Sequence, residues 1–185
     1  MKLGLAVIAL AAIPSLPASA RPITAGVGLG LTESKADTDY NADANHTLEL
    51  FGRVGLTSRI SGQLEIERIQ TDDPNVDIRT ISGLMVVELA QPDSHVMPLL
   101  LAGMGYDHAG TQYGGSTEAH HIEGGLALEY RADGGFTIGA SARLGGRSID
   151  SDTTIVPLAN IALYQPSYLR EGEYRSLGMY AGVRF

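Results

Sequence analysis

The 185-residue sequence contains no cysteine and no tryptophan, and its basic residues are outnumbered, 13 Lys and Arg against 21 Asp and Glu. Without cysteine there is no disulfide, no thiolate nucleophile and no sulfur ligand for a metal. A formal net charge of −8 argues against a nucleic-acid partner, which is held through a basic patch. Long apolar runs are also missing. Beyond residue 20 the longest, Met97 to Tyr106, is about ten residues, and a membrane helix needs about 20. Glycine, by contrast, is frequent, at 23 residues. High glycine with modest hydrophobicity suits a membrane strand, which needs only about 9–11 residues and alternation rather than continuous apolarity.

The front of the chain reads as a cleaved signal peptide over residues 1–20. Lys2 is a short positive region, Leu3 to Ile13 is apolar, and Ala18-Ser19-Ala20 is a small-residue cleavage site. A membrane anchor is the competing reading, but the apolar run is too short to span. Removing this segment leaves residues 21–185 as one domain and, with Lys2 gone, takes the net charge from −8 to −9.

The remaining chain alternates. Leu177, Met179, Ala181, Val183 and Phe185 share one side of the last stretch, and Ser176, Gly178, Tyr180, Gly182 and Arg184 the other. Successive strand side chains point to opposite faces, so one face is apolar and the other small or polar. Ile23 to Thr32 repeats the pattern with glycine on the second face. Further strands follow at Leu48–Leu56, Leu64–Glu67, Ile81–Leu89, Pro98–Tyr106, Ile122–Tyr130 and Phe136–Gly145. In the fifth, Leu99-Leu100-Leu101 leaves the facing ambiguous. The turns after strands two, four and six are short, whereas the connections 33–46, 107–118 and 148–173 are long. Eight strands with alternating short turns and long loops predict an all-β, eight-stranded antiparallel up-and-down transmembrane β-barrel, with both termini at the short-turn end.

The non-apolar face carries Glu49, Glu65, Glu67, Glu123 and Glu129 with Arg53, Arg143 and Arg184. A soluble core would not bury these together, although a soluble barrel could turn them to water. Ala25-Gly-Val-Gly-Leu-Gly-Leu31, Pro98-Leu-Leu-Leu-Ala-Gly-Met-Gly-Tyr106 and Gly125-Leu-Ala-Leu-Glu-Tyr-Arg131 before a tight turn carry a resemblance over the whole mature chain. It resembles the outer membrane protein β-barrel domain family of small OmpA/OmpX-like eight-stranded barrels. The resemblance implies location in the cell outer membrane, contact with outer-membrane lipid and lipopolysaccharide, and a monomer. It also implies that Phe185 is the assembly signal read by the barrel assembly machinery. Lacking tryptophan, any aromatic girdle is tyrosine and phenylalanine, with Tyr130, Phe136 and Phe185 near the periplasmic rim.

Motifs for chemistry are scarce. There is no Gly-x-Ser-x-Gly elbow, no His-Glu-x-x-His and no phosphate loop. The lipid A deacylases among such barrels carry a His-x-Ser-Asn type motif, but here His120 and His121 precede Ile122 and Glu123. No catalytic residue, cofactor or metal site is assigned. Asp37 to Asn45 places oxygen ligands at every second position like a calcium loop. Ala42 stands where the sharp turn needs glycine, and Glu49 falls one residue late for the bidentate ligand. A solvated acidic loop is the plainer reading.

An eight-stranded barrel is just wide enough for its own side chains to fill. A three-residue loop Ala132-Asp133-Gly134, with Gly134 left-handed, sets Arg131 opposite Gly135, Tyr130 opposite Phe136 and Glu123 opposite Arg143. The same count about Thr57 to Gly62 sets Arg53 opposite Glu67. The pairs Glu123–Arg143 and Arg53–Glu67 are thus expected to seed an ionic plug. Arg68, Arg79 and Arg175 fall on the outward face at the external strand ends, where guanidinium groups can grip lipopolysaccharide phosphates or extend into water. The function these readings favour is a non-enzymatic outer-membrane barrel acting in envelope structure or surface interaction through its external loops. The alternatives are a narrow pore or transporter for small solutes and a lipid A-modifying enzyme.

Overall fold

The computed structural model describes residues 21–35, 43–71, 75–111, 115–153, 169 and 171–185. Residues 1–20, and with them the expected signal peptide, lie outside the described residues, as does most of the acidic loop 37–45.

Eight strands follow in order: β1 (Ile23–Lys35), β2 (Asp43–Gly55), β3 (Ile60–Gln70), β4 (Val76–Glu88), β5 (Val96–Thr111), β6 (Ser116–Arg131), β7 (Phe136–Thr153) and β8 (Gly172–Arg184). Each pairs antiparallel with its sequence neighbours, and β1 with β8 closes the ring. Closure leaves no strand edge, so the backbone donors and acceptors are satisfied within the wall. At the seam the Phe185 amide donates to the Ile23 carbonyl at 2.8 Å. The connections after β2, β4 and β6 share one end with the chain termini, called the short-turn end below. Those after β1, β3, β5 and β7 share the other, called the long-loop end, although the strand bounds leave only residues 71–75 and 112–115 after β3 and β5. No helix of the described chain is long and apolar enough to cross a membrane.

The wall has two faces, as the alternation requires. Leu29, Met104, Ile122, Leu126, Leu144 and Met179 point outward, each at least 60% exposed. Such a continuous apolar exterior is stable only against lipid. Tyr130, Phe136 and Phe185 are outward at the short-turn end. The ambiguous leucines of β5 resolve with Leu99 and Leu101 inside and Leu100 outside. Alternation alone could not decide this, because β5 is apolar on both faces there. The strands also run longer than the apolar band, so β1, β2, β5, β6 and β7 take in residues expected in loops.

Two turns differ from expectation. Arg131 pairs with Thr137, and Tyr130 with Ile138, because the three-residue loop sits one residue further along, at Asp133-Gly134-Gly135: the Ala132 amide donates to the Phe136 carbonyl at 2.9 Å. The left-handed residue is Gly135, at φ 80°, not Gly134. The β2–β3 turn is tighter than expected. Leu56 bonds Ile60 at 2.7 Å, so Arg53 faces Gln63, and Glu67 faces Glu49. Both shifts are even-numbered, so every side chain keeps its face.

Candidate functional site

The bore concentrates the polar chemistry of this chain in two stacked ionic layers. At the short-turn end, Arg53 Nη1 donates to Glu129 Oε2 at 2.8 Å, and Arg131 bonds Glu129 and Glu88, each at 2.7 Å. The Tyr180 hydroxyl donates to the same Glu129 oxygen at 3.0 Å. Two guanidinium groups face two carboxylates, so this layer is balanced. Beside it, β4 and β5 supply Leu84, Val86, Met97, Leu99 and Leu101, which pack with Phe51 and Tyr180 into an apolar half-plug. Tyr180 lies against Gly139, where any side chain would strike the ring.

Gln63 joins this layer to the next. It accepts from Arg53 Nε and donates to Glu65. Above it, Arg143 bonds Glu65 and lies 3.3 Å from Glu49, 3.4 Å from Glu123 and 3.8 Å from Glu67. Toward the long-loop end, Asp107 accepts from Arg147 at 2.7 Å, from Thr80 at 2.6 Å and pairs with His121 Nδ1 at 3.0 Å. His121 Nε2 faces Ser82 Oγ at 3.3 Å. The Tyr174 ring stacks on His121 at 4.9 Å and carries the Arg147 guanidinium at 4.8 Å. A second apolar layer, Ile69, Val76, Ile78, Ala109, Ala119 and Leu169, closes the bore beyond.

Glu123 and Arg143 meet, but across two rungs. Glu123 is registered with Gly145, and Arg143 with Gly125, and the long arginine spans the difference. Arg53 and Glu67 do not meet. The β2–β3 register sends Arg53 to Glu129 and brings Glu67 toward Arg143. The sequence does not single out Asp107, His121, Arg147 and Tyr174 as lumen residues: Asp107 falls in the expected loop 107–118, and the other three lie at strand ends just outside the alternating apolar stretches. The recoverable signal was parity: His121 shares it with Glu123. His120 points outward and bonds Asp150 at 2.7 Å.

The three outer arginines are not equivalent. Arg68 and Arg79 are registered neighbours on β3 and β4, and both grip Asp77, at 2.9 and 2.6 Å. Asp77 lies beyond the apolar band. Burial there works to raise its carboxyl, but hydrogen bonding and charge from Arg79 and Arg68 hold it below the usual range. Arg175 stands elsewhere on the wall, on β8, paired to Glu173 at 2.7 Å.

No family model and no curated protein sequence matches this chain. Solved structures do match its fold. The chain resembles the neisserial surface protein A (NspA) at TM-score 0.63 and 11% identity, over 88% of this chain and 97% of that one. It resembles the N-terminal β-barrel domain of Pseudomonas aeruginosa OprF at TM-score 0.54 and 14% identity, over 86% and 97%. It resembles Ail, the attachment invasion locus protein of Yersinia pestis, at TM-score 0.54 and 16% identity, over 89% and 99%. The chain therefore shares its fold, a closed eight-stranded antiparallel up-and-down barrel, with these proteins.

Proposed function

We propose that this protein is a plugged, non-enzymatic outer-membrane barrel, exported by a leader over residues 1–20. Its role would be in envelope structure or surface interaction, carried by the long-loop end. The observation behind this reading is the filled bore. Glu65, Thr80, Met97, Leu99, His121 and Glu129 come from four consecutive strands, β3 to β6, and each is at most 1% exposed. A water-filled channel would leave its lining wet. The similarity to Ail, whose name records attachment and invasion, supports the surface role. The outer arginines would meet lipopolysaccharide phosphates at the external rim. In a planar bilayer the wild type is expected to pass little current. Large, stable single-channel steps would reverse the reading in favour of the pore.

A second reading has one observation in its favour. Ser82, His121 and Asp107 form a hydrogen-bonded chain of the kind that activates an acyl-transfer serine. However, Ser82 and His121 are 1% exposed and Asp107 is fully buried. Tyr174 and the apolar layer above close the approach, so an acyl carbonyl has no path to Ser82 Oγ among the described residues. The Asp107 oxygen that meets His121 is also shared with Arg147. The expected result is no labelling of Ser82 by a fluorophosphonate probe. Stoichiometric labelling would establish the enzyme reading instead.

A further inference from the structure

The upper ionic layer is not balanced. Its carboxylates are Glu49, Glu65, Glu67, Glu123 and Asp107, and its cations are Arg143, Arg147 and, when protonated, His121. Even with His121 charged, the described residues leave an excess of two negative charges. The excess lies at the level of the membrane, where an uncompensated buried charge is strongly destabilising. The lower layer, with Glu88 and Glu129 against Arg53 and Arg131, shows no such excess.

The excess is localised. The register of β2 with β3 sets Glu49 directly opposite Glu67, and Glu65 follows two residues along on the same inward face. One carboxylate oxygen from each of the three lies within 4.8 Å of the others. Glu67 is 3% exposed, and its Oε2 has no hydrogen-bond partner. Arg143 reaches all three residues but supplies a single charge, and its own Nε is also unpartnered. Glu67 is therefore a buried carboxylate turned into a group of like charges with an oxygen to spare.

We propose that Glu49, Glu65 and Glu67 form a binding site for a hard divalent cation of the calcium class inside the bore, with Arg143 as its flanking charge. Oxygen-only donor sets select such ions over zinc or copper. Calcium–oxygen bonds of about 2.3–2.6 Å allow two ligands of one ion to stand about 5 Å apart, so the three oxygens need little movement. The ion removes the charge excess and ties β2 to β3 through carboxylates that Arg143 on β7 also contacts. Its role is to staple the plug, which goes beyond the surface reading above and does not depend on it.

The test uses the full barrel refolded in detergent with EDTA, then given calcium chloride or manganese(II) chloride. Bound metal is counted by mass spectrometry, and thermal unfolding is followed by circular dichroism. For the wild type we expect one ion per barrel and an unfolding temperature raised by about 5 °C or more at a hundredfold excess over Kd. Manganese bound there gives the spectrum of an immobilised ion. Glu67→Gln should lose both ion and shift. In EDTA it should unfold at a higher temperature than the wild type, since one surplus charge is gone. Glu49→Gln repeats the test should Glu67→Gln fail to fold. Equal unfolding temperature and no retained ion in the wild type would overturn the proposal and leave protons as the neutralising charge. Full retention of the shift in both variants would also overturn it, placing the ion elsewhere, for example in the acidic segment 37–45.

Discussion

The Arg143 guanidinium faces Glu49, Glu65, Glu67 and Glu123 at distances up to 3.8 Å. Removing it leaves carboxylates facing one another in a site that is 5% exposed at Arg143 itself. Breaking such an arrangement from one side costs about 3–5 kcal/mol, whereas removing both partners costs far less. Arg143→Met should therefore destabilise the barrel by about that amount in urea unfolding from detergent. Adding Glu65→Gln should return part of the loss, because Glu65 is the partner in closest contact. Strictly additive losses would show that the two residues act separately. That both belong inside was legible from parity alone. Their partners were not, because partner choice depends on register, and register is set by turns. The pairing of Arg53 with Glu129 rather than Glu67 is the clearest case: it follows from a β2–β3 turn tighter than the residues 57–62 suggested.

Among the elements, β3 and β4 show how a strand pair builds a site at its outer end. Antiparallel register sets Arg68 beside Arg79, and two like charges abreast need a counter-ion. Asp77 supplies it, one oxygen to each guanidinium. The geometry is that of an anion clamp already holding a carboxylate, so any lipid phosphate must displace or join Asp77. Asp77→Asn should thus strengthen lipopolysaccharide co-purification, and Arg68→Gln with Arg79→Gln should weaken it, with folding unaffected in both. Unchanged binding in every variant would mean that the arginines only steady the strand ends. Arg175 is expected to contribute independently, since it sits on β8 with Glu173 as its own partner. The sequence showed the three arginines on the outward face. It could not show Asp77 between two of them, because cross-strand neighbours are a product of register. Strand ends were under-read for a related reason. Beyond the lipid, both faces are polar, and period-two contrast fades although the hydrogen-bonded ladder continues.

The whole molecule depends on one seam. Seven strand pairs are joined through connections between sequence neighbours, but β1 and β8 meet only by closure, registered from Thr24–Arg184 to Lys35–Glu173. Glycines allow the approach. At Gly26 an added Cβ would run into the Ala181 carbonyl across the seam and into the Phe51 ring behind it. That backbone cannot yield without opening the ladder, and Phe51 is itself wedged edge-on against Tyr180 at 5.4 Å. Gly52 lies on the opposite face of the neighbouring strand, with nothing within 4 Å of its added Cβ. A closed barrel has no strand edge from which to unravel, so wild-type protein in cold SDS should stay folded and change gel mobility only after boiling. Gly26→Val should shift that transition to markedly lower temperature or abolish the folded band. Gly52→Ala should leave it within a few degrees of the wild type. The comparison separates closure from glycine content, since both changes remove one glycine from a strand. Equal behaviour of the two variants on a graded-temperature gel would mean that the seam is not the limiting contact, and that the filled bore alone holds the ring shut.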